Sequence, residues 1–242
     1  MPKKLTGKVA IVTGASRGIG RAISVALAEE AATVVLAARS IEKLRGTAEQ
    51  VKAAGGKPEV VVAELTEEES IKNLVKVTGQ KFGRLDILIN NAGVTHSAKL
   101  EETTTQDWDR CFLINSRAPF ILCREALPLL KKSEAASIVN ISSVVGVKGY
   151  PLQCAYTASK HAIRGMTMSL AEECNHTNVR VHLLCPGGVD TELLDKVRPD
   201  LKKQDLMRPE EIAEIVLYLV THRGNAFIDE LHVRRASSKP WF

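Results

Sequence analysis

Seven short apolar runs recur along the chain: KVAIVT (8–13), ATVVLAA (32–38), PEVVVAE (58–64), LDILIN (85–90), ASIVNIS (136–142), VRVHLLC (179–185) and AFIDELHV (226–233). Several are continuously apolar rather than alternating, as in strands covered on both faces. Between them, stretches near 18–30, 41–54, 67–81, 106–131, 155–175 and 209–221 carry helical patterning. Arg208-Pro209-Glu210-Glu211 opens the last of these, because proline pre-sets the first turn and carboxylates suit the positive end of the helix dipole. Strands alternating with helices predict an α/β fold with right-handed crossovers. The expectation is a single-domain Rossmann-type doubly wound parallel sheet of about seven strands, helices on both faces, over residues 1–242.

Composition agrees with one large domain: 242 residues, 45% hydrophobic and 25% charged. Aromatic residues make up only 4%, so aliphatic side chains must build the core. The net charge is +5, but pairs such as Lys3-Lys4, Lys131-Lys132 and Arg234-Arg235 form no stripe. They read as solvated surface, and no nucleic-acid partner is expected. Cys111, Cys123, Cys154, Cys174 and Cys185 are odd in number and lack metal-ligand spacing. That fits reduced, buried thiols, no metal and a cytoplasmic location. No apolar run is long enough for a signal core or a membrane span.

Ligands of such a sheet bind beyond the carboxyl ends of its strands. There the first strand leads into TGASRGIG (13–20), whose Gly14, Gly18 and Gly20 suit a tight turn against a phosphate at a helix N-terminus. The second strand ends in AARS (37–40), with Arg39 where NAD-binding folds place an acid. Arg17 in the glycine turn would supply a second guanidinium. Two cations beside one ribose suit a 2′-phosphate, so the expected cofactor is NADP(H) rather than NAD(H). The nearest acid, Glu42, lies inside the following helix.

A third feature is YTASK (156–160). Tyr156 and Lys160, four residues apart, share one helix face. A free phenol near pKa 10 is a poor proton donor at neutral pH, and an adjacent ammonium favours the phenolate.

TGASRGIG, NNAG (90–93), YTASK and PGGVDT (186–191) stand in the order and spacing of the short-chain dehydrogenase/reductases, which the sequence resembles from residue 5 to about 231. The nearest likeness is to bacterial ketoacyl-carrier-protein reductases and NADP-dependent carbonyl reductases. The resemblance implies a catalytic set of Asn115, Ser143, Tyr156 and Lys160. Ser143, not Ser142, lies 13 residues before the tyrosine. Asn115 would help hold a water that links the lysine to solvent. It also implies cofactor contacts from Gly14, Ser16, Arg17, Gly18, Ile19 and Gly20, from Arg39, and from Tyr156 and Lys160 themselves. Glu64 and Leu65 would flank the adenine, with Glu64 departing from the usual Asp. Asn91, Ala92 and Gly93 would line the adenosine ribose, while Asn90 ties strands together. Pro186, Gly187, Val189 and Thr191 would hold the nicotinamide end.

The implied reaction is hydride transfer between NADPH and a small-molecule carbonyl: a ketone, an aldehyde or a 3-ketoacyl thioester. Oxidation of a secondary alcohol or polyol, and an inactive nucleotide-binding module, are the alternatives. Residues 192–207 form a short, charged substrate-covering loop, where Lys196, Arg198, Lys202 and Lys203 would attract an acidic partner or substrate. His96, Ser97, Leu152 and Gln153 are expected to line the pocket. The tail, 232–242, lacks the family's glycine-rich ending, and Trp241-Phe242 would dock on a neighbouring subunit or fray. The resemblance implies a homo-oligomer, dimer or tetramer, joined through the helices near 106–131 and 155–175.

Overall fold

The computed structural model describes residues 3–195, 197–198 and 200–240; Lys196, Trp241 and Phe242 therefore lie outside the described residues. Seven strands form one sheet: β1 (Val9–Thr13), β2 (Thr33–Ala38), β3 (Lys57–Val62), β4 (Ile87–Asn90), β5 (Ala136–Ile141), β6 (Val179–Pro186) and β7 (Glu230–Val233). All pairings are parallel, in the order β3-β2-β1-β4-β5-β6-β7. The order reverses at β1/β4, which opens a crevice above the carboxyl ends of those strands.

The continuous apolar runs follow from this arrangement. Successive strand residues point to opposite faces, so Ala10 and Val12 of β1 join one core while Val9 and Ile11 join the other. One core lies under α1 (Gly18–Glu29), α2 (Ile41–Ala53) and α8 (Pro209–Thr221). The other lies under α3 (Glu68–Phe82), α5 (Ala118–Leu130) and α6 (Cys154–Cys174). As expected, α8 starts at Pro209, and the Glu211 carboxylate accepts the Arg208 N–H at 2.6 Å.

Two elements differ from the sequence expectation. The helix expected over 106–131 is three pieces: α4 (Thr105–Phe112), a π-helical turn (Leu113–Arg117) and α5. The last strand is four residues long rather than eight. Before it, the chain is held to β6 by side chains: Phe227 stacks on His182 at 5.0 Å, and His182 Nδ1–H donates to the Ile228 carbonyl at 2.7 Å. In the loop expected to cover the substrate, α7 (Glu192–Asp195) makes one short turn. Cys111, Cys123, Cys174 and Cys185 are buried free thiols, and Cys154 is exposed.

Candidate active site

A cleft of about 1590 Å3 opens above the switch point. Its floor is the glycine turn. Gly14 has φ +65°, which favours glycine, and a Cβ there would stand 2.9 Å from Ala92 Cα. Gly20 lies behind the wall rather than on it, where a Cβ would collide with the Gly14 carbonyl and the Asn91 amide. Polar bonds join the β1 and β4 loops. Thr13 Oγ1 accepts the Asn91 and Ala92 N–H groups at 3.1 and 3.2 Å, and Asn91 Nδ2 donates to the Thr13 carbonyl at 2.9 Å. Asn91 thus spends its amide on the neighbouring loop while still lining the cleft. Arg21, which no motif singled out, braces the turn by donating to the Ser16 carbonyl at 2.7 Å.

Ser16, Arg17, Gly18, Ile19, Arg39, Glu64, Leu65, Ala92 and Gly93 all line this end. Both expected guanidiniums are there, and each already faces a carboxylate. Arg17, at the N-cap of α1, is paired with Glu192 of α7. Arg39 Nη1 lies 3.9 Å from Glu64 Oε2. Glu64 Oε1 also accepts the Thr66 N–H at 3.1 Å, so the departure from aspartate supplies a turn acceptor and a counter-ion for Arg39.

At the other end, β5 delivers the two serines and α6 delivers Tyr156 and Lys160. Ser142 turns inward, donating to the Lys160 carbonyl at 3.0 Å. Ser143 faces the cleft; its Oγ accepts the Val145 N–H and donates to the Pro186 carbonyl, at 3.3 and 3.4 Å. Tyr156 and Lys160 are buried on one face of α6, with Lys160 Nζ 5.9 Å from the phenol ring centre. The ammonium donates to the Ile141 carbonyl at 2.9 Å.

In this packing burial, and not the neighbouring ammonium, dominates the acidity of the phenol. Burial pushes Tyr156 up to about 12, with only the Ser143 hydrogen bond among its main influences pulling down. Burial pushes Lys160 down to about 8. Desolvation leads for both groups, and the ammonium sits beside the ring while donating to a β5 carbonyl.

Asn115 occupies the π turn. Its Oδ1 accepts the Val94 N–H, and its Nδ2 donates to the Val94 carbonyl and Ser159 Oγ, each at 2.9 Å. The side chain is therefore fully engaged. Its main-chain carbonyl, by contrast, faces a proline at position i+4, and Pro119 has no N–H to give. Pro119 was the overlooked signal for the broken helix. A Cβ on Gly93 would lie 3.3 Å from Asn115 Oδ1 and 3.6 Å from Lys160 Nζ, so Asn115 and Lys160 converge on that glycine.

Pro186, Gly187, Val189 and Thr191 line the same end. Val189 forms a parallel bridge to Met207 through the Gly188 carbonyl and the Asp190 N–H. In a parallel bridge the central residue's own N–H and C=O point the opposite way. The substrate side holds Gln153 together with Lys148 and Tyr150, in place of the expected His96, Ser97 and Leu152. Leu152 is half exposed, and His96 faces Asp107 at 3.5 Å.

The short chain dehydrogenase sequence pattern matches residues 8–202. The chain belongs to the short-chain dehydrogenase family. Among its relatives, the 3-oxoacyl-(acyl-carrier-protein) reductase FabG of Thermotoga maritima is 36% identical over 230 residues, covering 92% of this chain and 94% of the relative. An uncharacterized oxidoreductase of Staphylococcus aureus strain USA300 is 37% identical, covering 95% and 98%. A metagenomic short-chain oxidoreductase in complex with NADP has a TM-score of 0.85 at 37% identity, over 96% of this chain and 99% of that one. An alcohol dehydrogenase from the archaeon Thermococcus sibiricus, complexed with 5-hydroxy-NADP, has a TM-score of 0.89 at 29% identity, over 97% and 99%. This chain is thus an oxidoreductase of that family, built on one parallel sheet.

Proposed function

We propose that the protein is an NADPH-dependent carbonyl reductase acting on ketones, aldehydes or 3-ketoacyl thioesters, with Tyr156 as proton donor. The observation that carries this reading is one cleft with Ser143, Tyr156 and Lys160 at one end and Arg17 and Arg39 beside the glycine turn at the other. The residues fit the cofactor. The start of α1 offers N–H groups for a pyrophosphate, the two guanidiniums suit a 2′-phosphate, and the outward Val189 backbone suits a carboxamide. NADPH, when bound, supplies the hydride that reaches the carbonyl carbon.

The chain's own residues do the rest. Ser143 Oγ holds the carbonyl oxygen, which gains negative charge as the reaction proceeds. Tyr156, a phenol at neutral pH because burial raises its pKa to about 12, gives that oxygen its proton. Lys160 holds positive charge beside the phenol and stabilises the phenolate left behind. The main-chain carbonyl of Asn115, released from the regular helix bond by Pro119, holds the water that returns a proton through Lys160. Run backwards, the same groups oxidise a secondary alcohol.

Exposed Trp108, Phe120 and Met168 on α4, α5 and α6 support a homo-oligomer built on these helices. Four buried thiols support a reducing compartment such as the cytoplasm. No helix among the described residues is long and apolar enough to cross a membrane. The reading is tested by following NADPH absorbance with a panel of ketones, aldehydes and acetoacetyl thioesters. A protein that binds NADPH yet consumes none with any carbonyl, and forms none with secondary alcohols, overturns it.

A further inference from the structure

The tail folds back over the substrate end of the cleft. The Gly187 N–H donates to the Val233 carbonyl at 2.7 Å, tying β7 to the loop that follows β6. Beyond β7, Arg234 Nη1 donates to the carbonyls of Arg235, Ala236 and Ser238, at 3.1, 3.4 and 2.7 Å. Ser238 Oγ also donates to the Arg235 carbonyl, at 2.7 Å. Arg234 is consumed in holding this turn, and the turn fixes the backbone of Arg235.

Arg235 itself is different. Its side chain crosses Gly188 so closely that a Cβ on that glycine would stand 3.0 Å from Arg235 Cδ and 3.2 Å from Nε. Gly188 thus leaves room for an arginine. Arg235 is partly buried and lines the cleft, and the Gly188 it crosses lies two residues along from Pro186, whose carbonyl takes the Ser143 hydrogen bond. Among the described residues its guanidinium makes no hydrogen bond or ion pair. Two neighbouring cations of this rim are engaged: the Arg198 fork grips Asp200 with two bonds of 2.7 Å, and Lys203 lies 3.8 Å from Asp190. Asp200 feels the charge of Arg235, yet Arg198 already occupies both its oxygens. Taken together, Arg198, Asp200 and Arg235 leave one positive charge facing the cleft.

A partly buried guanidinium whose nearest carboxylate is already gripped by Arg198 has lost hydration and gained little in return. Its planar donor fork matches a carboxylate or phosphate. Resting on the carbonyl-reductase reading above, we propose that Arg235 is the anion-binding residue of the substrate subsite, and that the physiological carbonyl compound carries an oxyanion group, carboxylate or phosphate. Gly188, which admits the arginine, and Arg234, which holds the tail turn, are positioning residues for it.

The test uses the full chain with NADPH and matched pairs of carbonyl compounds. Pyruvate, acetoacetate and levulinate are each compared with the methyl ester, and dihydroxyacetone phosphate with dihydroxyacetone. In at least one pair the anion is reduced about tenfold or more efficiently, the difference lying in KM and shrinking with added salt. The pair that shows it tells carboxylate from phosphate. Arg235→Ala and Arg235→Gln collapse the anion-to-neutral ratio toward one, and Arg235→Lys restores part of it. Equal efficiencies in every pair, or a ratio unmoved by Arg235→Ala, overturn the subsite. If no carbonyl compound is reduced at all, the reductase reading falls. The subsite is then judged by calorimetric titration with succinate and with inorganic phosphate. Saturable binding weakened about tenfold by Arg235→Ala upholds it, and no binding, or an adventitious ion indifferent to the substitution, sinks it.

Discussion

Arg17, at the N-cap of α1, is ion-paired with Glu192, the first residue of α7 in the loop that lines the cleft. A cofactor phosphate and that loop would therefore compete for one guanidinium. Arg17→Ala is expected to weaken NADPH binding about tenfold or more, the scale of a charged hydrogen bond, and NADH binding much less. Glu192→Gln is expected to tighten NADPH binding a few-fold, since the pair it breaks is exposed. Fluorescence titrations with both nucleotides measure this; equal effects on NADPH and NADH would show that Arg17 does not read the extra phosphate.

Tyr156 is buried beside Ser143 in the cleft. Tyr156→Phe removes the proton donor and little volume. Turnover should fall by two to four orders of magnitude, about the contribution of general acid catalysis, while NADPH binding stays within a few-fold. Steady-state kinetics with a nucleotide titration decide it, and a variant retaining more than about a tenth of the activity would remove Tyr156 from its role.

Lys160 gives a pH signature with two opposite parts. Its folded pKa is about 8, below the ordinary lysine value of 10.5. Carbonyl reduction should decline as pH rises through about 8, when the ammonium beside Tyr156 loses its proton. Stability should move the other way. Between 8 and 10.5 the unfolded chain binds more protons than the folded one, so ΔG of unfolding increases with pH. A pH–rate profile and urea melts on one sample measure both; a rate that stays flat to pH 10 contradicts the assignment.

Asp86, far from the cleft, is a fully buried carboxylate. It takes the Val9 N–H at 2.9 Å, the Arg84 guanidinium at 2.6 and 2.9 Å, the Ser133 hydroxyl at 2.5 Å and Lys8 at 3.3 Å. Burial opposes its ionisation, yet these donors hold its pKa below the ordinary value of 3.8. The stability it contributes is present above that value and drains as pH falls through the lowered one. Asp86→Ala should cost about 3–5 kcal/mol by stranding its partners. Denaturant unfolding checks the magnitude, and a loss under about 1 kcal/mol would deny the network that role.

Much of the site was legible in local chemistry. Glycines, a tyrosine and a lysine at fixed spacings mark a turn and a helix face, and those constraints act within a few residues. The broken helix at Asn115 left a sign in the sequence as well, in Pro119. What stayed hidden depended on distant partners. The acids facing Arg17 and Arg39 come from α7 and the loop just after β3, and Thr13 meets Asn91 across 78 positions.

The sequence by itself determined the strand–helix alternation, the two-sided sheet and the residue types at the strand ends, because side-chain periodicity and turn chemistry are local. Only the tertiary structure decided which charges are already spoken for. It aimed Lys160 at the β5 backbone, raised the pKa of Tyr156 by burial, and laid Arg235 across Gly188 while Arg234 was used up holding the tail. Desolvation and pairing depend on what surrounds a group in three dimensions, and residues far apart in the chain supply those surroundings.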